Sequence, residues 1–258
     1  MTNSIQQKLF EKIHERYQYH YYDKYSNFYR KLIILEIIRK FFKNKKNILE
    51  IGCGGGSNYL TFKREKLIGN NNYLALDISS KAVKDFNLIC KNDENASAFQ
   101  CDFTQKNLKF EKKKFDLILF MGVLHHMTND MDEVFNNIAN NLNENGLVIF
   151  FEPNAHFLNW LRKIWYKISD DFDDVNERAL YPEEIDYHSK KHSLKLNYCK
   201  YIGNIGFFVI LQSMILRTPK WLKSITYFPL TYLDLFFEKF QIKNCLGAMI
   251  RIYENDSQ

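Results

Sequence analysis

The chain has 258 residues, 46% of them hydrophobic and 16% aromatic, enough to bury one sizeable core with appended elements. Lys and Arg number 36 against 30 Asp and Glu, a formal charge of +6. That excess allows an anionic partner, but it lacks the arginine-rich stripe of a nucleic-acid binder and argues against RNA or DNA. The five cysteines (Cys53, Cys90, Cys101, Cys199 and Cys245) have neither C-x-x-C pairing nor zinc spacing. Free thiols in a reducing cytosol explain them, and the polar, aromatic N-terminus has no secretory pattern, so the expected location is cytoplasmic.

Residues 5 to about 16 have helical spacing, and an aromatic run follows from Tyr17 to Tyr25. Residues 28 to 42, with Tyr29, Leu32, Ile33, Ile37, Ile38 and Phe41, predict an amphipathic to nearly all-apolar helix. Ile48, Leu49 and Ile51 then read as a short buried strand, broken by Gly52, Gly54, Gly55 and Gly56. Glycines between a strand and a helix leave backbone amides free to face something small and polar.

The spacing fits neither G-x-G-x-x-G nor a phosphate loop ending in G-K-S/T. The order Glu50-x-Gly52-x-Gly54-x-Gly56 instead resembles motif I of the class I S-adenosylmethionine-dependent methyltransferases, of the type 11/12 kind. The resemblance implies that the loop, with Cys53 in it, wraps the amino-acid part of a cationic cofactor. Glu50 would orient the ammonium group directly or through water.

The remaining motifs follow in order. Ser57 to about Lys66 predicts a crossover helix, and Tyr73-Leu-Ala-Leu-Asp77 a second strand ending in an acid, with Ile78 next. A carboxylate there can accept both hydroxyls of a ribose. Ser79-Ser80 suits the cap of a helix over Lys81–Cys90. Ala96–Cys101 predicts strand three, after which the family implies that Asp102 accepts from the adenine amine and that the Phe103 backbone amide meets the ring. Phe115–Met121 is a strong strand, and with the following Gly122-Val-Leu-His125-His126 it resembles motif IV, whose strand-end residue, here Met121, lies along the cofactor. A helix over Asp132–Leu142 stops at Asn145-Gly146. Leu147–Phe151 is strand five, closing with Glu152-Pro153-Asn154.

Pro182 with Glu183 and Glu184 starts another helix, and Leu194–Ile202 and Leu246–Tyr253 predict the last two strands. The expected fold is α/β: a Rossmann-like, doubly wound, seven-stranded and mostly parallel sheet with a helical insertion before its last strand. Residues 1–44 would form N-terminal cap helices on a methyltransferase domain spanning 45–258. Acceptor-side insertions are expected at about 154–181 and 204–244.

Methyl transfer from a sulfonium is an in-line displacement, so alignment and exclusion of water are the main tasks. If the acceptor is a sugar hydroxyl, His125 or His126 would take its proton; otherwise the pair caps the strand-to-helix turn. Arg162, Lys163 and Arg178 are candidates to bind an anionic part of the acceptor, or are surface charges. Tyr25 and Tyr21 are candidate lid contacts, to cofactor and substrate respectively, or plug the core edge. No acid and Asn set can be placed near the acceptor, so no metal ligand is assigned.

The segments E-P-N, N-W-L-R and N-E-R-A-L-Y resemble methyltransferases of bacterial surface-polysaccharide biosynthesis. They imply O-methylation of a sugar, sugar nucleotide, or phosphate or phosphoramidate substituent in capsule biosynthesis. A lipid-linked or quinone-like acceptor is the alternative, and a non-catalytic binding protein keeping the fold is another. The apolar stretch Tyr201–Leu216 falls short of the ~20 residues that span a bilayer. Trp221, Tyr227, Phe228, Tyr232, Phe236 and Phe237 among Lys220, Lys223 and Lys239 are read either as buried, in the core or a homodimer contact, or as a peripheral membrane face.

Overall fold

A computed structural model of the protein describes residues 2–21, 23–110, 114–168 and 177–256. The strands are β1 (Asn47–Ile51), β2 (Asn72–Asp77), β3 (Ala96–Gln100), β4 (Phe115–Met121), β5 (Leu142–Pro153), β6 (Leu194–Ile202) and β7 (Ala248–Asn255). They form one seven-stranded sheet of order β3-β2-β1-β4-β5-β7-β6. All neighbouring pairs from β3 to β5 are parallel, whereas β7 runs antiparallel to both β5 and β6. The order reverses between β1 and β4, so a crevice opens there at the carboxyl ends of the strands.

Alternation along the strands sets the two sides of the core. In β1, Ile48 joins the cluster that includes Tyr29, Ile33, Phe62 and Phe86, and Leu49 the opposite cluster with Phe120, Phe135 and Phe150. Helices α4 (Ser57–Arg64), α5 (Ser80–Ile89), α6 (Met131–Asn141) and α8 (Pro182–Lys191) follow strands as expected of crossovers, and Ser79 caps α5 by accepting from Ala82 N at 3.2 Å. β5 begins at Leu142, opposite Phe115, earlier than its apolar run suggested; Asn145 (φ 58°) lies in the irregular stretch before pairing resumes at Leu147, opposite Leu117.

Before the sheet come α1 (Thr2–Tyr21), α2 (Lys24–Arg30) and α3 (Glu36–Ile38), the last two joined by a wide helical turn over Lys31–Leu35. The second helix starts earlier than its apolar spacing predicts because Asp23 caps it, accepting from Tyr25 N at 2.8 Å and Ser26 N at 2.9 Å. Tyr22, within the aromatic run, lies outside the described residues, as do 169–176 of the expected acceptor-side insertion, after α7 (Asn159–Ile168). The insertion before β7 holds the long α9 (Lys220–Glu238). Among the described residues no helix is long and apolar enough to cross a membrane.

Candidate functional site

Two adjoining cavities lie over the carboxyl ends of β1, β2 and β4, and Gly52, Gly54, Gly122, Val123 and His126 line both. The glycine loop is held against β2 by its amides: Gly52 N and Cys53 N donate to Leu76 O, and Gly54 N to the Asp77 carboxylate at 2.8 Å. Gly52 (φ 66°) has no room for a Cβ, because the Val123 side chain occupies that space. Gly54 (φ 52°) has nothing within 4 Å of where a Cβ would stand, so its backbone is open to a ligand.

The first cavity is walled by Leu76, Ile78 and Phe103, with Asp77 and Asp102 among the linings. Burial pushes the Asp77 carboxyl up, opposed by amides of Ser79 and Gly54. Its two oxygens each take one of those amides, so acceptor capacity remains toward the cavity. Asp102 is fixed by Thr104, which donates to it from both its amide (2.9 Å) and its hydroxyl (2.7 Å). An apolar slot with two acids at its edge suits a nucleoside: hydroxyls meet one carboxylate, an amine the other.

The second cavity contains Cys53, Asn58, Arg30, Tyr21 and Met121, and runs on to Phe151, Phe207, Leu211 and Met214. Glu50 is not in its wall. The carboxylate is fully buried behind it, accepting from Asn58 Nδ2 at 2.7 Å and Tyr73 OH at 2.7 Å. Burial raises its pKa to about 7, against the lowering effect of those two hydrogen bonds. Asn58 and Arg30, neither singled out by the motif, line this space on the loop side together with Ser57 and Thr61. Arg30 is held by Ser57 Oγ at 3.3 Å and by the Tyr21 ring.

His125 and His126 sit in the tight turn Leu124–His126 after β4, and Glu152, from the end of β5, organises that turn. Its carboxylate accepts from Val123 N (3.0 Å), Leu124 N (2.8 Å) and His125 Nδ1 (2.7 Å). Because a carboxylate only accepts, Nδ1 carries the hydrogen and Nε2 faces Glu177, 3.6 Å away. Burial alone would lower the His125 pKa, but Glu152 and Glu177 outweigh it and raise it to about 9. At neutral pH this ring is therefore an imidazolium between two glutamates, and not a free base. His126 Nδ1 lies 3.5 Å from the same Glu177, and its ring meets Phe10 of α1 edge-on. His125, His126 and Glu177 also have the spacing of a metal-ligand set, which the sequence did not suggest.

Several expected contacts fall elsewhere. Tyr21 lines the second cavity, but Tyr25 lines neither and packs on Tyr227 of α9, because the Asp23 cap turns it that way. Arg162 is buried and donates to the carbonyls of Asn154 (2.5 Å) and Gly247 (2.7 Å), joining the end of β5 to the start of β7. Lys163 is exposed, and Arg178 is paired fork-to-fork with Glu184 at 2.8 Å. None of these three cations lines either cavity. Sequence reading also missed Glu152 and Glu177, whose signal was their place in E-P-N and N-E-R-A-L-Y.

Residues 49–148 match the Methyltransf_12 family model, described as a methyltransferase domain. An uncharacterized protein of Methanocaldococcus jannaschii is 33% identical over 144 residues, 55% of this chain and 51% of the relative. A malonyl-[acyl-carrier protein] O-methyltransferase of Bacillus cereus is 25% identical over 135 residues, 50% of this chain and 47% of the relative. The chain thus spans about half the length of the curated relatives it matches. A solved SAM-dependent methyltransferase of Methanosarcina mazei shares the fold, with TM-score 0.58 at 12% identity over 88% of this chain and all (100%) of that one. Fold and family model agree that the segment from β1 into β5 is similar to a methyltransferase domain.

Proposed function

We propose that this chain is a methyltransferase that uses S-adenosylmethionine and methylates an oxygen of an acceptor with a substantial apolar part. The observation that carries the reading is the pair of cavities that share the glycine loop: a slot fit for a nucleoside, and a second space with Asn58 and Arg30 beside an apolar wall. Asp77 accepts from the ribose, and Asp102 with Phe103 holds the adenine. Arg30 pairs with the cofactor carboxylate, and Glu50 acts on the ammonium through Asn58. When bound, the sulfonium supplies a methyl group activated for in-line displacement.

The chain's own residues align the acceptor and exclude water. Phe10 and Ile13 of α1 roof both cavities, and α1 is tied down by His14, whose Nε2 is 2.6 Å from Asp85 of α5. His126, which lines both cavities, is the group placed to take the acceptor proton, with Glu177 on its Nδ1 side to stabilise the imidazolium that forms. His125, already charged, positions Glu177 and the turn.

Phe151, Phe207, Leu211 and Met214 favour a lipid-linked or quinone-like acceptor over a free sugar nucleotide, since none of the three expected cations reaches this space. A capsule-type sugar remains within the reading where it is carried on a lipid. The test is incubation of the purified protein with methyl-labelled cofactor and, separately, a cellular lipid extract and a panel of nucleotide sugars. Label in the organic phase supports the reading, and label only in nucleotide sugars overturns the choice of acceptor.

A further inference from the structure

Helix α9 packs Tyr227, Leu230 and Leu235 against the core, half-buried, yet its most deeply buried residues are polar. The residues it buries are Lys223, Thr231, Asp234 and Glu238, all polar. The residues it exposes include Trp221 (66%), Ile225 (64%), Phe228 (54%), Tyr232 (50%) and Phe236 (53%), and Phe240 and Ile242 continue the patch beyond its end. Steps of three and four residues put these on one face, along a helix of about 28 Å by the usual rise per residue.

The buried polar groups fix this orientation. Lys223 donates to Asp23, Ser26 and the carbonyl of His20. Asp234 accepts from Tyr29 OH at 2.6 Å and from the amides of Asn204, Gly206 and Phe207. Glu238 pairs with Lys200 at 3.1 Å. Rolling the aromatic face inward would break all of these contacts, so that face is held toward the surroundings, where a patch of this size calls for an apolar partner.

Charge decides which partner. Both acids of α9 are buried, so its outer face carries none, whereas Lys220 and Lys239 at its ends and the flanking Arg217 are exposed; Lys243 beyond them pairs with Glu183. We infer that α9 is a membrane-surface helix, which lies flat on an anionic phospholipid bilayer with its aromatic stripe in the interface and its cations among the headgroups. A symmetric contact between two copies would bring the cations of one copy against those of the other, with no acid on either outer face to offset them. The patch continues to Tyr19 of α1, whose ring lies under Lys220 Nζ at 3.8 Å, so the bilayer also meets the cap helix. This inference stands on α9 and does not depend on methyl transfer.

The experiment is co-sedimentation of the full chain with vesicles of phosphatidylcholine alone or mixed with phosphatidylglycerol, alongside the double variant Phe228→Asp, Tyr232→Asp. Both side chains are exposed, and an unchanged melting temperature verifies the fold of the variant. Binding to the anionic vesicles at least tenfold tighter than to the neutral ones, weakened by salt and lost in the variant, is the expected result. No binding of the wild type overturns the inference. So does a dimer seen by light scattering that the variant dissociates, which would assign the face to a second copy.

Discussion

Asn58 Nδ2 donates to Glu50 Oε1 at 2.7 Å, so the acid at the end of β1 stands one side chain behind the cavity wall. Its pKa of about 7 without a ligand makes it a sensor of positive charge in that cavity. A cationic cofactor favours the carboxylate, so binding releases a proton from Glu50 below that pH. Affinity for S-adenosylmethionine is expected to rise with pH, by up to about tenfold per unit below pH 7, and to level off above it. Calorimetry across pH checks this, and Glu50→Gln should flatten the profile.

The His125–Glu152 contact makes a prediction about stability. A histidine whose folded pKa is raised to about 9 contributes stability that is complete below its ordinary value of 6.5 and lost as pH rises through 9. The contribution is on the order of 3 kcal/mol. Urea unfolding between pH 6 and 10 should show the loss, and Glu152→Gln should lower stability at pH 6 while shrinking the difference between the two ends.

Metal removal separates two uses of the same cluster. His125, His126 and Glu177 are spaced for an ion, but the cation between Glu152 and Glu177 is already supplied by the protonated His125 ring. Prolonged dialysis against a chelator is expected to leave turnover unchanged. A loss that a divalent ion restores would make the cluster a metal centre.

Arg162→Met tests whether this arginine serves the substrate or the frame. Its guanidinium satisfies two buried carbonyls, so the variant should lose about 3 kcal/mol of stability with unchanged cofactor affinity. An intact melting temperature with a raised KM for the acceptor would return it to the site.

The frame of the molecule was legible because local signals coincide there. Apolar runs, the glycines at 52–56 and the acids at 77 and 102 all fall at strand ends, and the sheet carries them to one crevice. What escaped reading depends on pairing across the chain. Glu152 meets His125 only once β5 lies beside β4, and Glu177 reaches both histidines from the segment before α8. Arg162 looked like a ligand-binding charge because nothing local shows that the carbonyls at 154 and 247 converge on it. In the insertion before β7 a helical element was expected, but which side of it faces inward was not legible. Aromatics at helical spacing ordinarily face a core, and only the positions of Tyr29, Asp23 and Lys200 show that the polar side is the inner one.

The most direct test is calorimetric titration of S-adenosylmethionine and S-adenosylhomocysteine into the wild type and Asp77→Asn. Micromolar binding by the wild type, about 8 kcal/mol, is expected, with a loss of roughly 2 kcal/mol in the variant as a side-chain amide replaces a carboxyl acceptor of the ribose hydroxyls. Absence of binding to either compound, or equal affinity in the variant, would contradict the assignment of these cavities to the cofactor.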